Sequence, residues 1–237
     1  MMPENRIREL DAARGFCILA MVAVHLIYDL TELYPVLNWQ YPPLFLLLKD
    51  GGSIVFFLIS GISATLGRRY LRRGLVVLGC GLLVSAVTII AGFMPIRFGV
   101  LHCLGLCMLL WALFKSASQR VLWCFCAVFT ALGWCFSRIT IAATWLYPLG
   151  LTSRGFQSAD YFPLLPYLGY FLAGAALGKQ FYPSRKSLFP KLPRLSFLCR
   201  CGRHSLFIYL IHQPVLIFLI EAATFIGGIF REIYYQT

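Results

Sequence analysis

The sequence predicts an all-α membrane protein, a polytopic bundle of about seven transmembrane helices with its N-terminus in the cytoplasm. Three observations predict it. Of the 237 residues, 59% are hydrophobic, 16% aromatic and only 13% charged, whereas a soluble domain is roughly one quarter charged. The apolar residues gather into long runs, each close to the ~20 residues that a helix needs to cross a bilayer. The basic residues fall in short clusters between those runs, as membrane topology demands. That placement also accounts for the net charge of +12 and excludes nucleic acid as the partner; the partner it implies is the lipid bilayer.

The first run, 12–30, is read as a span rather than a cleaved signal peptide, because further spans follow it and no small-residue cleavage site closes it. Residues 44–48, behind Pro42 and Pro43, are too short to cross alone and are expected at the interface or as a re-entrant piece. The remaining spans are 52–67, 75–93, 99–114, 121–136, 161–177 and 206–226. They make one helical domain over 1–237. No internal repeat is visible, which speaks against an inverted-repeat transporter.

Charge counting sets the orientation. Arg6, Arg8 and Arg14 lead into the first span; Arg68, Arg69, Arg72 and Arg73 follow the second; Lys115 and Arg120 follow the fourth. Lys179, Arg185, Lys186, Lys191, Arg194, Arg200 and Arg203 follow the sixth. The other side holds Lys49, Arg97, Arg138, Arg154 and Arg231. The larger set faces the cytoplasm, and the C-terminus lies outside. Trp39, Tyr41, Trp145 and Tyr147 suit an outer aromatic belt. Two long outer loops, 31–51 and 137–160, are placed to roof a cavity. Seven of the nine cysteines fall inside apolar runs and read as small hydrophobes; Cys199 and Cys201 are assigned to a basic cytoplasmic loop, where thiols stay reduced. No metal site is expected, because His102, Cys103 and Cys107 lack a clear pair of further ligands.

The spans are not clean. An Asp, Lys or Arg at membrane depth costs at least ~2.5 kcal/mol, yet the first span carries His25 and Asp29 and is led in by Asp11 and Arg14. Positions three or four apart share a helix face, so Asp11, Arg14, Ile18, Val22, His25 and Asp29 form one stripe. At ~1.5 Å per residue, His25 lies about 16 Å beyond Arg14. A carboxylate one turn from an imidazole can orient it and raise its basicity, which makes His25 the candidate base and Asp29 its orienter; the alternative is a structural pair that locks neighbouring helices. Arg97, His102 and His212 are further polar groups at or near span depth, and Pro214 frees a carbonyl in the last span. The second span is lined with Gly52, Ser53, Ser60, Gly61, Ser63 and Gly67. Small residues there mean close helix packing or a groove for a slender ligand. The arginine cluster 68–73 serves topology or binds phosphate oxygens.

Five segments carry a resemblance: "RIRELDAARGFCILAMVAVHLIYDL", "GGSIVFFLISGISATLGRR", "FGVLHCLGL", "DYFPLLPYLGYFLAGAALGK" and "GRHSLFIYLIHQPVL". Their order resembles a bacterial membrane family similar to the catalytic domain of heparan-alpha-glucosaminide N-acetyltransferase, within a wider group of transmembrane acyltransferases. The resemblance covers about 6–216. It implies acyl transfer across a membrane, with acetyl-CoA as cytoplasmic donor and a sugar or glycan hydroxyl or amine as outer acceptor. It also implies a location in a bacterial plasma membrane. His25 would be the centre of the site and Arg14 would lie near the donor. No histidine lies between His25 and His102, so either His25 does the job of the outer-loop histidine of the eukaryotic branch or the chemistry differs. Arg68, Arg69, Arg72 and Arg73 would meet the CoA phosphates. The competing reading from the residues alone is a proton-coupled carrier, for which intramembrane His and Asp are equally natural. A retinal-type receptor is excluded, because the last span has no lysine for a Schiff base.

Overall fold

The computed structural model describes residues 7–34, 40–190 and 195–235. Arg6, Trp39, Lys191 and Arg194 lie outside the described residues. Eight helices form among the described residues: α1 (Arg8–Tyr28), α2 (Pro43–Leu66), α3 (Tyr70–Ile90), α4 (Val100–Phe114), α5 (Gln119–Phe136), α6 (Leu164–Phe181), α7 (Ser196–Arg203) and α8 (Ser205–Tyr235). A π-helical turn, Asp29–Leu33, extends α1, and a short 3₁₀ turn spans Tyr147–Leu149.

Five helical stretches are long and apolar enough to cross a membrane: Arg8–Leu33, Phe45–Leu66, Tyr70–Ile90, Gln119–Phe136 and Ser205–Ile226. Helix α4 is apolar but has 15 residues. Helix α6, with Tyr167, Tyr170, Lys179 and Gln180, is not among the five. The lipid-facing pattern is inverted relative to a soluble bundle. On α3, Leu75, Leu82, Leu83 and Ile90 are exposed while Gly74, Val77 and Gly81 are buried. Phe207, Phe218 and Phe225 are exposed on α8. Exposed apolar faces of this extent mark a surface that meets lipid.

Two expectations are corrected here. Residues 44–48 are not a separate short piece: they are the opening turns of α2, which runs unbroken through Gly51 and Gly52. Pro43 takes the first helical position, where a missing N–H costs nothing, and two glycines are too weak a brake on so apolar a run. Cys199 and Cys201 lie on helix α7 rather than in a loop, and Cys201 is buried. The other cysteines divide: Cys103 and Cys107 are buried, whereas Cys124 and Cys135 are exposed on α5.

The residues group into two compact units. The first comprises Met1–Leu10 and Ser53–Arg194. Helix α6 is its centre, with Leu168, Phe171, Leu172, Ala173, Ala175 and Ala176 buried. A helix sheathed by other helices needs small residues more than it needs lipid-like hydropathy. A Cβ on Gly61 of α2 would come 1.9 Å from the carbonyl oxygen of Phe171, and one on Gly174 of α6 would come 2.0 Å from that of Leu58. The backbones of α2 and α6 therefore touch. Close packing is what Gly61 serves; Ser60 and Ser63 turn their hydroxyls back to the Phe56 and Ile59 carbonyls at 2.8 and 2.7 Å.

One end of this unit is stitched by Glu9. Its carboxylate accepts from the Leu188 N–H at 2.8 Å, the Ser187 hydroxyl at 2.7 Å and the Tyr182 hydroxyl at 3.4 Å. Burial, then the Glu9 charge, pushes the Tyr182 hydroxyl up to about 12, so it stays a donor at neutral pH.

The second unit comprises Asp11–Gly52 and Leu195–Thr237. Here α7 lies against α1 at backbone distance: a Cβ on Gly15 would sit 2.0 Å from the Leu198 carbonyl oxygen, and one on Gly202 1.8 Å from that of Asp11. At the far end of α1, the Thr31 and Tyr41 hydroxyls share a hydrogen bond, and Tyr34 donates to Glu221 at 2.8 Å.

Candidate active site

The second unit gathers the polar groups of α1 and α8. Helix α1 presents half-buried His25, whose Nδ1 lies 2.9 Å from the Met21 carbonyl oxygen. A carbonyl can only accept, so Nδ1 carries the hydrogen and Nε2 keeps its lone pair. Helix α8 presents His212, with its ring centroid 4.9 Å from that of His25 and its plane turned by 83°. Two imidazoles thus meet edge to face across two helices.

Asp29 is 1% exposed and opens the π-helical turn, in which the Tyr34 N–H reaches the Asp29 carbonyl at 2.8 Å. Its carboxylate does not find the partner that sequence spacing suggested. Gln213 donates from its amide nitrogen to both carboxylate oxygens, each at 2.9 Å. The geometry is that of one amide N–H shared between the two oxygens, while the His25 ring already spends its Nδ1 hydrogen on its own helix. His25 is therefore held by Met21 and flanked by His212, and Asp29 anchors the neighbouring residue of α8. Near the other end of the stripe, Arg14 pairs with Asp11 at 3.4 Å, one turn apart.

His102 and Arg97 belong to the other unit and are locked there. The His102 Nδ1 accepts from the Gly99 N–H at 3.2 Å. Ser85 gives its hydrogen to the Ile96 carbonyl, so the 3.4 Å contact of its oxygen with Nε2 uses the ring as donor. Both ring nitrogens are spent. Asp160 accepts from the Val100 N–H at 3.0 Å, at the positive end of the α4 dipole. Arg97 reaches the Gln157 carbonyl at 3.1 Å and, through its backbone, the Ser158 hydroxyl at 3.0 Å. These residues pin the end of the 137–160 loop to the start of α4. His102→Asn is accordingly expected to lower thermal stability by several degrees while leaving turnover per folded molecule intact; a stable but dead variant would return His102 to the chemistry.

A basic recess of about 310 Å³ lies within the first unit, at the low end of the range for small-molecule sites. Gly67, Tyr70, Trp111, Lys115, Lys179, Tyr182 and Arg185 are among the residues that line it. Lys179 donates to the Lys115 and Ala117 carbonyls at 2.8 and 2.6 Å and lies over the Trp111 ring at 5.7 Å. Arg68 and Arg69 are exposed between the lining residues Gly67 and Tyr70, and Arg72 and Arg73 are exposed on the first turn of α3. The sequence pointed to the four arginines for the donor phosphates, and none of them lines the recess, whereas Lys115, Lys179 and Arg185, credited to topology alone, do. Sequence reasoning also missed Gln213, whose only signal was its position beside His212.

Apolar spans, a buried carboxylate and an imidazole pair on facing helices define a polytopic membrane protein with an ionisable site inside it. The chain belongs to the heparan-alpha-glucosaminide N-acetyltransferase catalytic family, whose family model matches residues 6–214. The matched range takes in the first four of the segments quoted above and all but the last two residues of the fifth. No curated protein and no solved structure matches the chain. Membership points to a membrane acetyltransferase.

Proposed function

We propose that the protein transfers an acetyl group from cytoplasmic acetyl-CoA to a sugar or glycan acceptor on the outer side of a plasma membrane, as one domain of seven spans. The observation that carries the reading is the imidazole pair on α1 and α8 in a chain of this family. The two spans beyond the five long apolar ones would be α4 and α6. Helix α6 is covered by protein on most faces and has little need of lipid-like residues.

In this reading His25 is the general base. Its free Nε2 lone pair takes the proton of the acceptor hydroxyl or amine as that atom attacks the thioester carbonyl. The proton then passes to the departing CoA thiolate. Asp29 keeps α8 in place through Gln213. Arg14, with Asp11 beside it, belongs to the donor side of the stripe.

The recess, with Lys115, Lys179 and Arg185 in its lining and Arg68 and Arg69 exposed next to its lining residues Gly67 and Tyr70, suits the phosphates of the donor, because arginine matches phosphate oxygens bidentately. Neutralising Arg68 and Arg69 together, as Arg68→Gln/Arg69→Gln, should weaken acetyl-CoA binding by about tenfold or more. Lys49→Gln, at the opposite charge cluster, should leave it unchanged. Isothermal titration in nanodiscs checks this. Unchanged binding with inverted topology would make the arginines purely topogenic.

A further inference from the structure

His212 is 8% exposed. Its Nδ1 lies 2.6 Å from the Tyr209 carbonyl oxygen, so Nδ1 holds the hydrogen and Nε2 keeps a lone pair. That Nε2 is buried and has no hydrogen-bond partner. The next residue repeats the pattern: Gln213 gives an amide hydrogen to Asp29, and its Oε1 is buried without a donor. His25, in ring contact with His212, has the same tautomer and the same kind of open nitrogen. Acceptors thus crowd one place, and among the described residues none supplies a hydrogen to His212 Nε2 or Gln213 Oε1. Buried acceptors are rarely left so, because desolvation without a bond is costly.

We propose that His212 is a second contact of the acyl acceptor: its Nε2 accepts a hydrogen bond from an O–H or N–H of that molecule while His25 handles the attacking atom. The proposal rests on the acyl-transfer reading above. In the reaction the acceptor's C–O or C–N bond forms as the C–S bond of the thioester breaks. The proton leaves the attacking atom for His25 and passes on to the CoA sulfur. His212 ends as neutral as it began; it grips the acceptor and does not turn over a proton.

The test compares wild type, His212→Phe and His212→Gln in nanodiscs, with acetyl-CoA as donor and glucosamine as the probe acceptor. Phenylalanine keeps an aromatic ring against His25 and deletes the lone pair. Glutamine returns an accepting oxygen. His212→Phe should raise the KM for glucosamine by about tenfold, with the KM for acetyl-CoA little changed, and His212→Gln should recover part of the loss. Acetyl-CoA binding by each variant reports that it is folded. A wild-type glucosamine KM in His212→Phe, or no recovery in His212→Gln, would overturn the proposal and reduce the contact to packing or a trapped water. Hydrolysis of acetyl-CoA without glucosamine separates the two failures. A wild type that neither hydrolyses nor transfers sinks the acyl-transfer reading as well, whereas an active wild type with an unaffected His212→Phe sinks only the role of His212.

Discussion

Purified His25→Ala protein is expected to bind acetyl-CoA normally and to transfer acetyl groups 10²–10⁴-fold more slowly, the range lost with a general base. The imidazole is held for that task. Its Nδ1 hydrogen is fixed on the Met21 carbonyl at 2.9 Å, which leaves one basic nitrogen to the site. The other ring in the contact, His212, is assigned to gripping the acceptor and does not take its proton. Asp29→Asn should cost less, because the carboxylate acts on α8 through Gln213 rather than on the base itself. Single-turnover rates with radiolabelled acetyl-CoA measure both. Near-normal turnover by His25→Ala would move the chemistry off α1.

Pairing Gly61→Ala with Gly174→Ala should be the most damaging small change in the first unit. Each new methyl carbon would stand about 2 Å from a carbonyl oxygen of the facing helix, a contact that only backbone movement relieves. Overpacking costs ~1–3 kcal/mol per site. In lipid no hydrophobic gain compensates when two helices are pushed apart. A fall of about 10 °C or more in the unfolding midpoint is expected. Gly52→Ala, on the same helix but with open space around it, is the control and should leave the midpoint unchanged. Equal midpoints for both proteins would mean that α2 and α6 do not touch as described.

Much of the fold was legible because membrane helices announce themselves by length and hydropathy. The first, third and fifth spans appear within a few residues of α1, α3 and α5. The start of α2 was misplaced because Pro42, Pro43 and the Gly51–Gly52 pair read as punctuation, whereas a proline in the first turn is harmless and lipid-like neighbours carry a helix through glycines. Helix α7 was hidden because its eight residues are too few for a span and sit within a basic stretch, and its anchoring depends on two glycines 187 positions apart in the chain, Gly15 and Gly202.

Of the site, the ionisable stripe on α1 could be read, since spacing within one helix is a local fact. The partners across helices could not. Asp29 lay one turn from His25 in sequence, yet the π-helical turn and the reach of Gln213 carry its carboxylate to α8. His102 looked equivalent to His25 and His212 by composition. Only the positions of Gly99 and Ser85 show that its two nitrogens are already spent.

The central claim is group transfer across a bilayer, and one reconstitution tests it most directly. Purified protein in sealed proteoliposomes is given acetyl-CoA labelled in the acetyl group on the face bearing the Arg68–Arg73 cluster, with glucosamine enclosed on the other. The account predicts that labelled acetylglucosamine accumulates with the glucosamine, one CoA thiol is released per acetyl group moved, and His25→Ala gives neither. Movement of glucosamine or protons with no thioester consumed would contradict it and make the imidazole pair part of a carrier.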